Sequence, residues 1–101
     1  MSLAQRSGLP AVVSSALETS IGIAAGLAAA AALPQLEFAC GLGTVSLFIG
    51  DVVADPLLPI KGEIQLRRPE PDPALLERFT PDRDTSTELL RRLRWAAEML
   101  T

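Results

Sequence analysis

From Thr19 to Leu36 the chain carries no charged side chain, and most of that stretch is alanine, glycine and other small residues. High helix propensity from Ile21 to Leu33, the cap-forming group Glu18-Thr19-Ser20 ahead of it and Pro34 directly behind predict one helix. With only 4% aromatic residues in 101, any core must come from small side chains packed closely. Such a core is fragile without neighbours, and one domain of this size has no room for a second. The same stretch has about the length of a membrane-spanning helix. Against a span stand Pro34, the excess of alanine over leucine, and the lack of a flanking aromatic or Lys/Arg belt. We expect no membrane association.

The residues around this helix alternate in kind. Leu9 to Ser15 begins with Pro10, runs through Val12 and Val13 and ends in small polar residues, which suits a short buried strand of a parallel sheet. A second short strand is expected at Phe38 to Cys40, then a tight turn at Gly41-Leu42-Gly43-Thr44 and a short helix near Val45 to Val53. Strand, small-residue loop and helix thus occur twice. That pattern predicts an α/β fold of right-handed βα units with a parallel sheet or barrel, its functional loops at the C-terminal strand ends.

Beyond Asp55-Pro56 the texture changes. Leu58 to Leu66 around Lys61-Gly62 reads as a small hairpin. Arg67 to Pro73 is an extended connector. Asp72-Pro73 caps a short helix from Ala74 to Phe79, and Thr85 to Leu100 repeats leucine and alanine at helical spacing, with Asp84 to Ser86 available as its cap. The division expected is residues 1–55 for the two βα units and 56–101 for the hairpin and helices. The arginines of the last helix read as a solvated face.

Several functions are disfavoured outright. A net charge of −3 gives no basic field to neutralise phosphates, so no nucleic-acid partner is expected. Histidine is absent, which removes the commonest general base and zinc ligand. Cys40 is the lone cysteine, cannot form an internal disulfide and reads as a small buried hydrophobe. Met1 to Ala4 carries no basic n-region leading into an apolar stretch, so a secretory signal is not supported and a reducing cytoplasm is expected.

The string Val12-Val13-Ser14-Ser15-Ala16-Leu17-Glu18-Thr19-Ser20-Ile21-Gly22 resembles the end of the seventh barrel strand in the muconate-lactonizing subgroup of the enolase superfamily. A small-residue helix, the Gly-rich end of an eighth strand at Cys40 to Thr44, an Asp-Val pair at Asp51-Val52 and the hairpin follow in the same order. Within that subgroup the Ser-Ser-Ala-Leu-Glu-Thr-Ser form, Ala-Cys-Gly-Leu-Gly-Thr, and the closing Arg-Pro-x-Pro-Asp-Pro with a terminal Arg-Leu-Arg-Trp helix are similar to the actinobacterial o-succinylbenzoate synthase family.

The resemblance implies a C-terminal fragment of a (β/α)-barrel, its last two βα units followed by a small hairpin and two helices. It implies a Mg²⁺-dependent dehydration in menaquinone biosynthesis, in which a lysine removes the proton alpha to a carboxylate and the metal stabilises the enediolate. The family's lysines and metal carboxylates belong to earlier strands, so no catalytic residue and no metal ligand is expected here, and Mg²⁺ is expected in the complete enzyme but not on this chain alone. Lys61, the only lysine, is expected to be solvent-exposed. What the resemblance leaves for this chain is contact with a small-molecule carboxylate through Ser14, Ser15, Gly41, Leu42, Gly43 and Thr44. Ser14 and Ser15 also suit simple strand termination, and Glu18 a helix-start carboxylate.

Three other readings remain open from the residues. One is a sister racemase, epimerase or cycloisomerase sharing the enolate step. Another is a small non-catalytic interaction or membrane-associated protein. The last is a half-barrel that binds a separate N-terminal portion, since two βα units leave both sheet edges unpaired; alone it would self-associate or stay partly molten.

Overall fold

The computed structural model describes residues 3–101. Met1 and Ser2, part of the stretch read as lacking a secretory signal, lie outside the described residues. Helices dominate: α1 at Leu3–Arg6, α2 at Ser20–Ala31, a 3-10 turn at Thr44–Leu47, α3 at Pro73–Phe79 and α4 at Arg83–Glu98.

α2 is the predicted alanine-rich helix, one residue earlier at its start and two shorter at its end. The last turn tightens as Ala32 N–H donates to Ala28 O and Leu33 N–H to Ala30 O, ahead of Pro34. Ser20, Ile23 and Ala30 are its buried residues, with Ala24 and Leu27 partly buried between them. These positions recur at helical spacing, so α2 has one inward face although it is apolar all round.

The two predicted strands shorten to a single parallel bridge, Ser14 to Gly41. Gly41 N–H donates to Val13 O at 3.0 Å and Ser15 N–H donates to Gly41 O at 2.9 Å. The segments therefore run side by side in the expected parallel sense, but no ladder extends from the bridge among the described residues. Parallel strands are stabilised by neighbours on both edges and helices on both faces, and this pair has α2 on one face and no further bridge on its outer edges among the described residues. The predicted helix at Val45 to Val53 is likewise only the 3-10 turn. Phe48 turns extended, and Gly50 lies so close to the Phe79 ring that an added Cβ would fall 2.3 Å from it.

Ile23, Ala30, Leu42, Val45 and Leu57 form the buried cluster, with Val13, Cys40 and Ile64 packed against it. Cys40 is half-buried and its Sγ accepts from Val13 N–H at 3.4 Å, in keeping with a packing role. The predicted hairpin from Leu58 to Leu66 is one antiparallel bridge, Ile60 to Glu63, closed by reciprocal hydrogen bonds of 2.8 and 3.0 Å. Lys61 and Gly62 turn it with φ of 51° and 81°, both left-handed as a two-residue hairpin turn needs, and Lys61 is exposed. The connector that follows is more tied down than its prolines suggested. Arg67 donates to the carbonyls of Asp55 and Pro56, and Asp72 N–H donates to Val52 O at 2.8 Å beside the Val53–Pro71 bridge.

Asp72 caps α3 by accepting from Ala74 and Leu75 N–H. The cap of α4 is Asp82, not the predicted Asp84 to Ser86; it accepts from Thr85 N–H at 2.7 Å, and this bond holds its carboxyl below the usual range. α4 buries none of its residues. Of its arginines, Arg91 pairs with Glu88 at 2.8 Å, and Arg92 and Arg94 are exposed, as a solvated face requires.

The molecule is thin, 46 × 40 × 20 Å, and exposes 8078 Å². A compact chain of this mass exposes about 5,500 Å². The excess is apolar in large part: Leu47, Ile49, Ile60 and most of the apolar stripe of α4 face solvent.

Gly22 shows how tightly the start of α2 is fitted. An added Cβ would fall 2.4 Å from Glu18 Cβ and 2.7 Å from its Cγ, atoms near the backbone and unable to swing away. Alanine gains about 1 kcal/mol over glycine within a helix, whereas overpacking costs about 1–3 kcal/mol, so the clash outweighs the gain. Gly22→Ala is expected to lower the urea midpoint of the chain without changing the slope, the opposite of an ordinary helical glycine.

Candidate functional site

The bridge brings four of the six candidate residues together. Ser15 Oγ donates to Gly41 O at 2.9 Å and lies 2.8 Å from Thr44 Oγ1, so that hydroxyl is spent on joining the two loops. Ser14 is exposed and its hydroxyl makes no hydrogen bond among the described residues. An added Cβ at Gly41 would sit 2.9 Å from Ser14 Oγ, so the glycine keeps open the space beside that free hydroxyl.

Leu42 contributes differently. The whole residue, backbone included, is 3% exposed and its side chain belongs to the core, so it presents almost nothing to a ligand. The amides of Leu42, Gly43 and Thr44 donate to no protein acceptor among the described residues. The amides of exposed Gly43 and half-buried Thr44 are suited to an anion, since fixed dipoles need no reorganisation when charge arrives. Gly43 and Gly41 are both exposed.

The loop from Ala16 to Thr19 is braced on both sides. Glu18 Oε2 accepts from Ala16 N–H at 2.8 Å, across Leu17, whose φ of 68° is uncommon for a residue with a side chain. Glu18 is thus a loop carboxylate rather than a group aimed at a ligand. At the end of the loop Ser20 and Asp51 form a buried polar knot, 0% and 7% exposed. Ser20 N–H donates to both Asp51 oxygens at 3.2 and 3.3 Å, Ser20 Oγ donates to Asp51 Oδ2, and Leu57 N–H donates to Ser20 Oγ at 2.9 Å. Val52 N–H donates to Asp51 Oδ1 at 2.7 Å. Thr19, the residue before α2, provides no side-chain cap, so a carboxylate 31 positions away takes that duty at the positive end of the helix.

Sequence reading noted Asp51 only as half of an Asp-Val landmark and Ser20 only as a cap-forming side chain. The available signal was an aspartate alone within Val45 to Val53, a run otherwise free of charge. A carboxylate in such a setting needs buried partners.

No family model matches the chain. It is 52% identical over 85 residues to the o-succinylbenzoate synthase of Mycobacterium ulcerans, an alignment covering 82% of this chain and 26% of that protein. It is 61% identical over 66 residues to the o-succinylbenzoate synthase of Thermobifida fusca, covering 65% and 21%. The chain is a homologue of the o-succinylbenzoate synthases, in their C-terminal part. To the o-succinylbenzoate synthase of Mycobacterium bovis BCG Pasteur it is 54% identical over 77 residues, 76% of this chain and 23% of that protein. The chain spans about a quarter of the length of the curated o-succinylbenzoate synthases it matches. The homology implies an enolase-type fold and a parent family of enzymes.

Two structural observations bear on what this o-succinylbenzoate synthase homologue can hold. Among the described residues no group of three His, Cys, Asp or Glu is placed to bind a metal ion. The one buried carboxylate, Asp51, has its oxygens taken by amides and a hydroxyl. Among the same residues no helix is long and apolar enough to cross a membrane.

Proposed function

We propose that this chain supplies the last two βα units of an o-succinylbenzoate synthase barrel, residues 1–55, with 56–101 packing back over the barrel and its cap domain. What supports the reading is the parallel Ser14–Gly41 bridge, which joins the segment of Ser14 to the loop whose Gly43 and Thr44 amides donate to no protein acceptor among the described residues. In this reading Ser14 donates its hydroxyl and Gly43 and Thr44 donate their N–H groups to a carboxylate of the substrate. Ser15 holds the loops at the separation those contacts need.

The reaction is a dehydration in menaquinone biosynthesis that forms o-succinylbenzoate, with Mg²⁺ supplying charge stabilisation where the rest of the enzyme holds it. The donors of this chain do not fit the metal, and no step is assigned to them through it. Its part is to bind and orient the substrate in cytoplasm, at a mouth whose remaining walls come from the N-terminal portion of the enzyme.

The missing wall also accounts for the exposed surface. The excess of about 2,500 Å² over a compact chain of this mass is more than one partner of a standard interface buries, about 800 Å². Unpaired edges beside Val13 and Gly41 are suited to neighbouring parallel strands.

The test mixes the purified chain with the N-terminal three quarters of the Thermobifida fusca relative and follows magnesium-dependent o-succinylbenzoate formation. Turnover in the mixture and in neither part alone is the expected result. Turnover by the chain alone would show that the chemistry is here after all, and an inactive mixture that nonetheless forms a stable complex would remove the proposed activity.

A further inference from the structure

Asp51 is the only charged side chain buried among the described residues, and it has no cationic partner. Burying a carboxylate this way is costly unless hydrogen bonds compensate, and a cap for α2 alone could have come from the adjacent Thr19. The knot does something a local cap cannot. Its two halves lie on the two successive βα units: Ser20 follows the Ser14–Ser15 loop by a few residues, and Asp51 follows the Gly41–Thr44 loop through the 3-10 turn. Leu57 N–H, bound to Ser20 Oγ, draws the segment after Asp51 into the same junction. The mouth between the loops is therefore tied twice, at its rim by Ser15 to Thr44 and beneath by Ser20 to Asp51.

We propose that Asp51 is a positioning residue for the carboxylate-binding mouth, fixing through Ser20 the separation between Ser14 and the amides of Gly43 and Thr44. The proposal rests on the substrate-binding reading given above. It differs from a purely structural role because the rim bond, a hydroxyl pair exposed in part to water, is too weak to hold the spacing once the lower tie is gone. A charge-assisted hydrogen bond weakens steeply once its donor is displaced from the acceptor.

Asp51→Asn keeps the shape and removes the charge and one acceptor; Ser20→Ala breaks the same tie from the other side. In the reconstituted mixture both are expected to raise KM for the carboxylate substrate about tenfold or more, the pattern of lost uniform binding, with any fall in apparent kcat no larger than the loss of folded chain accounts for. Ile23→Ala serves as the control, since loss of folded chain lowers the active fraction and leaves KM where it was. A variant at Asp51 that behaves like the control overturns the proposal. On the chain alone, the backbone amide signals of Ser15 and Gly41 to Thr44 are expected to move in Asp51→Asn while those of the Ile60–Glu63 bridge stay. This reading does not depend on turnover. If the unmodified mixture is inactive the substrate assignment fails by itself, and unmoved signals at Gly41 to Thr44 sink the positioning role in either case.

Discussion

Ile23→Ala is expected to cost the chain about 3 kcal/mol, most of its stability. Ile23 is completely buried and sits where α2 meets Leu42, Val45 and Leu57. A domain of ordinary stability has about 5–15 kcal/mol in hand, and this one keeps a small core under an unusually large surface, so it starts near the lower bound. Loss of helical circular dichroism against urea measures the effect. Leu93→Ala, on the exposed face of α4, is the comparison and should shift the midpoint by no more than about 0.5 kcal/mol. Equal effects at the two positions would mean that the core described for α2 is not what holds the chain together.

Removing one hydroxyl should be nearly as damaging. Ser20→Ala takes away the donor to Asp51 and the acceptor for Leu57 N–H, leaving a buried carboxylate oxygen and a buried amide without those partners. Each unsatisfied group costs about 1–3 kcal/mol, more when it is charged, and the deleted hydroxyl recovers little because no cavity larger than an oxygen remains. The expected loss is about 2–3 kcal/mol, read from urea unfolding. Thr19→Ala, next along the chain but without a side-chain cap bond, should change stability far less. A neutral result at Ser20 would show that the hydroxyl's bonds to Asp51 and Leu57 are not stabilising.

The two changes probe different parts of what could be foreseen. The alanine-rich helix was legible because its propensity, its polar start and Pro34 all act within a few residues. Asp72 before Pro73 fixed α3 for the same reason. The parallel sense of Ser14 and Gly41 was legible from the strand, loop and helix order. Overreading came where the sequence implied regular strands at Leu9 to Ser15 and Phe38 to Cys40. Their residues have the right character, but a parallel ladder is a property of the whole sheet, and this pair has no neighbour on either edge to extend it.

At the site, the cluster of Ser14, Ser15, Gly41 and Thr44 could be anticipated from their places at strand ends. What each would do could not. Ser15 and Ser14 are adjacent and chemically identical, yet one hydroxyl is consumed by Gly41 O and Thr44 while the other stays free. Leu42 lies between two exposed glycines and is itself turned into the core, a consequence of the side-chain alternation along an extended segment.

By itself the sequence determined the alanine-rich helix, α3 with its Asp72 cap, the run of α4, the positions of the small-residue loops and the kinship to one enzyme family, because those depend on neighbours in the chain and on residues that persist in order. The tertiary structure alone decided that Asp51 caps a helix 31 positions away, that Ser14 rather than Ser15 keeps a free hydroxyl, and how much apolar surface stays open. Hydrogen bonds and burial of that kind are set by which groups meet in space, and separation along the chain carries no record of it.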